Sequence, residues 1–321
     1  MKHAFKRTII VSLTTLLIVA IAIVVGASYY MLGFALTPRK RSHNEAMERF
    51  FKREPSSIKS WTDSLEHHHA ILDTSITIEK RGTMHAMCIK AKKPSNKVAV
   101  LLHGYMDRAE SMFHIAYLYH GMGYNVLLPH CYAHGDSDGD HIDMGWLDRL
   151  DAMRWMDVAN EKFHGDSAQT QMVVHGISMG GFTTMCISGE KCPAYVKCFV
   201  EDCGYTSVWN EFSDQLHNVF SLPDMPLMYT TSALCKMRYG WSFTEASAVE
   251  QLKKSTSPML FIHGDADTFV PYHMLNELYS AKTQGYKEKY IAPGSEHACA
   301  YSDHPREYTQ RVKNFVNKFI K

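Results

Sequence analysis

The chain has 321 residues, of which 45% are hydrophobic and 21% are charged, and its formal net charge is +1. A chain of this length can bury a large core, which favours one domain with appendages. The near balance of charge gives no reason to expect a nucleic acid or an acidic polymer as partner. No Gly-x-Gly-x-x-Gly or P-loop pattern is present, so no nucleotide cofactor is expected.

The first predicted element is an apolar segment. No charged residue occurs from Thr8 to Thr37, and Ile9 to Ala27 is almost wholly apolar, long enough to cross a bilayer core at ~20 residues. A secretory signal is the alternative, with Val25-Gly26-Ala27 as its cleavage site, but such signals have shorter apolar cores of about 7 to 15 residues. We therefore expect residues 1–37 to be an uncleaved membrane anchor. The basic residues before this segment are Lys2, Lys6 and Arg7.

The distribution of basic residues gives only a small preference for one orientation of this anchor in the membrane. Arg39, Lys40 and Arg41 on its far side nearly balance the basic residues before it. The short basic tail favours an amino terminus inside the cell and a catalytic domain outside the cytoplasmic membrane. Secretion after cleavage is the alternative localisation.

Residues 38–72 are charged and contain Pro55-Ser56-Ser57, which predicts a spacer with one or two short amphipathic helices. A hairpin is expected next, because Ile76 to Ile78 and Met84 to Ile89 alternate in polarity around Arg81-Gly82. Strand and helix signals then alternate as far as Asp202. This alternation predicts an α/β fold, a mostly parallel sheet with helices on both faces.

A nucleophile elbow is predicted at Gly176-Ile177-Ser178-Met179-Gly180, which follows the apolar run from Gln171 to His175 and precedes a helix-like stretch. A serine hydroxyl needs a base to remove its proton, so it must stand on a sharp strand-to-helix turn that an imidazole can reach. Side chains at the two glycines would collide with neighbouring backbone.

The other parts of a triad are found downstream. Asp267 follows the strand-like run from Met259 to Ile262, and His297 follows the strand-like Lys289 to Ile291. The chain order Ser, Asp, His is that of the α/β-hydrolases and differs from the chymotrypsin and subtilisin orders.

With these motifs the chain resembles the α/β-hydrolase superfamily, in its bacterial branch of serine aminopeptidases, prolyl-oligopeptidase-like enzymes and feruloyl-type esterases. The resemblance covers residues 73–321, taken as the catalytic domain, and includes His103-Gly104-Tyr105 and the turn from His134 to Gly139. It implies an oxyanion hole formed by the backbone N–H groups of Tyr105 and Met179.

Each role has competitors in the sequence. Asp265 and Asp202 rival Asp267 as the acid, and His304 and His103 rival His297 as the base. No His-Glu-x-x-His or Cys-x-x-Cys pattern is present, and His67-His68-His69 is interpreted as a solvated polar stretch. We therefore expect no metal.

Between residues 204 and 254 the alternation of strands and helices stops. This insertion is rich in aromatic residues and methionine, and it lies where α/β-hydrolases place a helical cap over the active site. A cap of this composition offers an apolar pocket, although most of its side chains are needed for packing.

The sequence thus predicts a membrane-anchored serine hydrolase that cleaves a carboxylic ester through an acyl-enzyme. A peptidase or amidase uses the same triad, and so does a thioesterase or acyltransferase; a non-catalytic binding protein is the hypothesis from another class. An aminopeptidase would also need a carboxylate for the substrate amine, for which Glu201, Asp202 and Asp214 are candidates.

Overall fold

A computed structural model describes residues 2–39, 42–165 and 169–321. Lys40 and Arg41 of the basic cluster lie outside these ranges. The chain divides into two compact units, residues 2–37 with 208–246 and residues 38–207 with 247–321. The helices are α1 Lys2–Leu36, α2 His43–Phe51, α3 Ser56–His67, α4 Phe113–Gly121, α5 Asp148–Phe163, α6 Met179–Ser188, α7 Val208–Gln215, α8 Leu227–Tyr239, α9 Ala248–Leu252, α10 His273–Ala281, α11 Ala300–Asp303 and α12 Pro305–Val316.

The larger unit is built on one eight-stranded sheet in the order β1-β2-β4-β3-β5-β6-β7-β8. The strands β1 and β2 form the predicted hairpin, with Ile78 opposite Gly82, and β2 pairs antiparallel with β4; the remaining pairs are parallel. The predicted α/β-hydrolase architecture is therefore confirmed. The strands are β1 Ile71–Ile78, β2 Gly82–Ile89, β3 Lys97–Leu102, β4 Asn125–Pro129, β5 Gln171–Ile177, β6 Val196–Asp202, β7 Met259–Gly264 and β8 Lys287–Ala292.

The central strands are buried on both faces, as expected of parallel strands covered by helices. Every residue of β4 and of β7 is buried. Alternate side chains of β3, such as Ala99 and Leu101, join a core cluster with α4 and with Val312 and Phe315 of α12. No residue of β1 is fully buried, and half-buried and exposed residues alternate from Thr74 to Ile78, as expected of a strand at the sheet edge.

The segment 38–72 holds two helices that pack on this unit. Ser42 and Glu45 form a capping box at the start of α2, in which each side chain accepts a backbone N–H of the other residue. Phe50 of α2 and Ile58 of α3 belong to the core cluster. The amphipathic helices expected here thus contribute to the core of the sheet unit.

The smaller unit contains α1, α7, a π-helical turn at Leu216–Phe220 and α8. Within the described residues α1 is the one helix that is long and apolar enough to cross a membrane, from Phe5 to Leu36. Its large hydrophobic side chains between Phe5 and Ile23 are exposed.

The turn between β5 and α6 forces an unusual backbone at Ser178, whose φ is 58° and ψ is −118°. A Cβ on Gly176 would lie 2.0 Å from the carbonyl oxygen of Gly180, and a Cβ on Gly180 would lie 2.0 Å from that of Leu102. Both contacts are with backbone that cannot move aside, so this turn tolerates only glycine at both positions.

We predict that Gly180→Ala lowers the free energy of unfolding by at least about 3 kcal/mol, because the added methyl group overpacks a rigid site. The matched control is Gly121→Ala at the end of α4, where an added Cβ meets no atom within 4 Å. Thermal unfolding in detergent measures both. Equal midpoints for the two variants would show that the turn is not sterically closed.

Candidate active site

The sheet brings Ser178, Asp267 and His297 to one edge. Ser178 follows β5, Asp267 follows β7, and His297 lies in the loop after β8. In open parallel sheets the crevice at the carboxyl ends of the strands is where ligands bind. Residues separated by up to 119 positions in the sequence therefore meet because their strands end on the same side.

These three side chains form a continuous line of hydrogen bonds. The Oγ of Ser178 lies 2.8 Å from Nε2 of His297, and Nδ1 of His297 lies 2.7 Å from Oδ2 of Asp267. Asp267 and Ser178 are buried, and the imidazole is partly exposed. Nδ1–H donates to the carboxylate, which leaves Nε2 free to accept the serine proton.

Asp267 is held as a carboxylate by four donors. Its Oδ1 accepts the backbone N–H groups of Phe269 and Val270, each at 3.0 Å, and its Oδ2 accepts from His297 and from His263 at 3.3 Å. Burial alone would favour the neutral acid, but the hydrogen bonds from His263 and His297 outweigh it and lower the pKa of Asp267 to about 2. The carboxylate is therefore charged throughout the neutral range.

His263 is a functional candidate that the sequence analysis missed. Its Nε2–H points to Oδ2 of Asp267 and also to the carbonyl oxygen of Val270 at 3.0 Å, and its side chain is completely buried. It thus fixes the loop that carries the acid. A usable signal was present, because His263-Gly264 ends a buried strand four residues before Asp267.

The predicted oxyanion donors lie on the two segments that flank the serine. Met179 is the first residue of α6, where helix N–H groups point outward without helical partners. Tyr105 follows Gly104, where an added Cβ would lie 3.5 Å from Cβ of Ser178. Both backbones are therefore next to the serine.

Buried histidines hold the loop that carries Tyr105. Nε2 of His134 accepts the N–H of Met106 at 3.1 Å, and Nδ1 of His130 accepts the N–H of Ala109 at 3.2 Å. Burial lowers the pKa of His130 to about 4, which keeps its ring neutral and able to accept. The two rings therefore hold the loop after Tyr105 at two points, Met106 and Ala109.

The rival residues occupy other sites. Asp265 is exposed and its Oδ1 accepts the N–H of Gly294, while Asp202 is buried and its Oδ2 accepts the hydroxyl of Tyr308 at 2.9 Å. His304 immediately precedes α12 and contacts the carbonyl oxygen of Pro293, and His103 is buried and accepts the N–H of Cys131. Neither rival histidine replaces His297 in the line.

Two of the three residues in this line, together with a cysteine, form a group that has the composition of a metal site. Ligand atoms of Cys203, Asp267 and His297 lie within 4.8 Å of one another. Burial raises the pKa of the Cys203 thiol well above its ordinary value, so the sulfur stays protonated and is a poor ligand. A metal here would also displace the bond between His297 and Asp267.

An elbow serine after β5, with an acid and a histidine on loops of later strands, defines an α/β-hydrolase enzyme. The sequence pattern of the prolyl oligopeptidase family matches residues 110–321, which is 212 of the 321 residues. The chain belongs to the prolyl oligopeptidase family.

Individual relatives are distant. The uncharacterised protein YqkD of Bacillus subtilis (strain 168) is 26% identical over 218 residues, 68% of this chain and 70% of that protein. The esterase Pf2001 of Pyrococcus furiosus aligns over 78% of this chain and 92% of its own, with a TM-score of 0.64 and 21% identity. An acylaminoacyl peptidase of Pyrococcus horikoshii aligns over 77% of this chain and 40% of its own, with a TM-score of 0.54 and 17% identity. At these identities the two structures support the fold alone.

We predict that Asp202→Asn removes a pH-dependent loss of stability. Burial raises the pKa of Asp202 from 3.8 to about 6, so ionisation opposes folding, and the wild type loses stability as the pH rises from about 4 to above about 6. A shift of about two units corresponds to about 3 kcal/mol. The asparagine oxygen still accepts the Tyr308 hydroxyl but cannot ionise.

The free energy of unfolding of Asp202→Asn relative to wild type should therefore increase by up to about 3 kcal/mol from pH 4 to pH 8. Chemical denaturation at several pH values measures this difference, with Asp265→Asn as an exposed control. Parallel stability curves for wild type and Asp202→Asn would refute the assignment of a buried charge.

Proposed function

We propose that Ser178, His297 and Asp267 are the catalytic triad of a membrane-anchored carboxylic ester hydrolase. The observation that carries this proposal is the line of two hydrogen bonds, 2.8 Å and 2.7 Å long, from hydroxyl to imidazole to carboxylate. The chain is a serine hydrolase of the prolyl oligopeptidase family, and this line supports Ser178, His297 and Asp267 as the residues that do the chemistry.

The first half of the reaction forms an acyl-enzyme. Nε2 of His297 takes the proton of Ser178 as Oγ attacks the carbonyl carbon of the ester. The charged Asp267 stabilises the imidazolium that results and keeps the ring in the tautomer that bonds Nδ1–H to the carboxylate. The backbone N–H groups of Tyr105 and Met179 stabilise the oxyanion.

The acyl-enzyme is complete when the imidazolium gives its proton to the departing alkoxide. In the second half water replaces the serine as the nucleophile, and the neutral ring takes a proton from this water as it attacks the acyl carbon. Breakdown of this second intermediate returns the proton to Ser178 and releases the carboxylic acid. His263 takes no proton in this sequence and acts by positioning Asp267.

The burial of Glu201 and Asp202, two of the three carboxylates considered for a substrate amine, favours an ester over an amino-terminal peptide substrate. Glu201 is completely buried and accepts the N–H of Gly204, and burial raises its pKa well above the usual range. Asp202 is bonded to Tyr308. Neither side chain is accessible to a substrate ammonium group. A peptidase activity is the second candidate, because the family is named for oligopeptidases and one structural relative is an acylaminoacyl peptidase.

We also propose that α1 is retained as an anchor and that the catalytic unit lies outside the cytoplasmic membrane. The candidate cleavage residues Val25-Gly26-Ala27 lie inside the continuous helix α1. Val24 and Ala27 are partly buried, so cleavage after Ala27 would remove residues that pack within the folded unit.

To test the function, we predict turnover of p-nitrophenyl esters that Ser178→Ala lowers by at least about four orders of magnitude. The same preparation should release p-nitroaniline from aminoacyl anilides much more slowly. Faster cleavage of the anilides would favour the peptidase. Ester turnover that survives Ser178→Ala would remove the serine from the mechanism.

The identity of the acid is tested by a matched pair of asparagine variants. Asp267→Asn should lower kcat by about 10³- to 10⁴-fold, because the amide cannot hold the required imidazole tautomer. Asp202→Asn, which makes the same chemical change at the end of the neighbouring strand β6, should lower kcat by less than about tenfold. The reverse ranking would assign the acid to Asp202.

A further inference from the structure

The apolar part of α1 is as long as a bilayer core is thick, and it lies between a basic residue and a pair of tyrosines. Thr8 to Ser28 is a run of 21 residues between Arg7 and Tyr29, which at 1.5 Å per residue spans about 30 Å. Tyr29 and Tyr30 are 52% and 63% exposed, and exposed tyrosines are typical of the boundary between lipid and water. The membrane-spanning part of α1 therefore ends near Ser28.

From Val24 to Leu36, across this boundary and beyond it, α1 has one buried face. Its buried and half-buried residues recur at intervals of three and four, the spacing of a helix face that packs on another element. They are Val24, Ala27, Ser28, Met31, Leu32, Ala35 and Leu36. The remaining residues in this stretch are exposed.

The insertion packs against this part of α1. The Oγ of Ser28 lies 2.6 Å from Oγ1 of Thr230 in α8, and the ring of Phe34 meets the edge of Phe220 with centroids 5.4 Å apart. Both contacts lie within the same compact unit. The anchor and the insertion are thus packed together by a polar contact at the membrane boundary and an aromatic one beyond it.

This packing fixes the height of α8 above the hydrocarbon. The headgroup layer on each side of the core is about 5 to 8 Å thick, and the stretch from Tyr29 to Leu36 is about 10 Å long. Because Thr230 contacts Ser28 at the edge of the hydrocarbon, α8 must lie at the level of the headgroups.

The insertion also exposes large apolar side chains. Val219, Leu222 and Met225 are 60%, 43% and 66% exposed in the segment that leads into α8. Such a group on a surface marks an interaction site. Apolar residues next to a lipid-exposed helix favour lipid as the occupant, since the same bilayer already surrounds α1.

We propose that residues 208–246 bind the membrane surface and insert Val219, Leu222 and Met225 into the boundary between headgroups and acyl chains. The occupant of this surface is the lipid bilayer itself. The inference rests on the proposed retention of α1 and is independent of the catalytic assignment.

The depth of Met225 tests this proposal directly. In the full-length chain, Cys192→Ser and Cys299→Ser remove the two cysteines that are partly exposed; the other six, Cys88, Cys131, Cys186, Cys198, Cys203 and Cys235, are buried. Met225→Cys then carries an environment-sensitive fluorophore after reconstitution into phosphatidylcholine and phosphatidylglycerol nanodiscs. Gln310→Cys on α12, which is exposed, carries the control label.

The label at residue 225 should emit at shorter wavelength than the control. Lipids spin-labelled near the headgroup should quench it at least about threefold more strongly, because the side chain lies among lipids. Equal quenching at the two positions would overturn the proposal. A label at 225 that is shielded from both water and spin-labelled lipid would indicate a protein partner and would also overturn it.

A disulfide between α1 and α8 tests the packing that sets the position of α8 relative to the membrane. Ser28→Cys with Thr230→Cys should oxidise readily, because the two hydroxyls are 2.6 Å apart and a disulfide needs adjacent β-carbons. Tyr29→Cys with Thr230→Cys is the matched control, since the next residue points about 100° away around the helix. Equal cross-linking of both pairs would contradict the packing. The intact mass of the same sample separates this result from cleavage, because loss of residues 1–27 would instead refute the retained anchor.

Discussion

The hydrogen bond between Nδ1 of His297 and Oδ2 of Asp267 is the interaction on which the proposed active site depends. It sets the tautomer of the imidazole, and the tautomer decides whether Nε2 can accept the proton of Ser178. The acid can perform this task only while it is charged, although it is buried. Two backbone N–H groups and His263 supply the hydrogen bonds that offset the cost of burying that charge.

This requirement explains why the loop after β7 is constructed as it is. Phe269 and Val270 direct their N–H groups at one carboxylate oxygen, and the carbonyl oxygen of Val270 in turn accepts from His263. The backbone of this loop therefore surrounds the carboxylate of Asp267 and is held in place by His263. Within the described residues, Asp202 at the end of the neighbouring strand accepts from the Tyr308 hydroxyl and has no comparable set of donors, and burial raises its pKa. The pKa values of the two carboxyls thus differ because their local donors differ.

Much of this arrangement could be predicted from the sequence because its signals are local. The glycines of the elbow stand where a Cβ would meet backbone at 2.0 Å, and Asp267 and His297 each follow a short apolar strand. What could not be predicted depends on contacts between distant segments. His263 looks like one more strand-end histidine until its distance to Asp267 is known. The segment 38–72 is so rich in charged residues that its pattern does not predict the packing of Phe50 and Ile58 in the core.

The apolar segment at the start of the chain shows a different limit. Residues that face lipid and residues that face protein are equally apolar, so the pattern from Thr8 to Thr37 reads as one uniform span. The structure separates an exposed part, which faces lipid in the proposed anchor, from a part that packs on α8. A helix too long for the bilayer core is thereby explained, because its last third serves as a packing surface.

The central claim is that His297 activates Ser178 and no other hydroxyl. Peptide mapping by mass spectrometry after reaction with a fluorophosphonate tests it most directly, because the reagent bonds covalently to an activated serine. The account predicts one adduct, on the peptide that contains Ser178, and its loss in His297→Gln. An adduct on a different residue of the folded wild type, or full labelling of Ser178 without His297, would contradict the account.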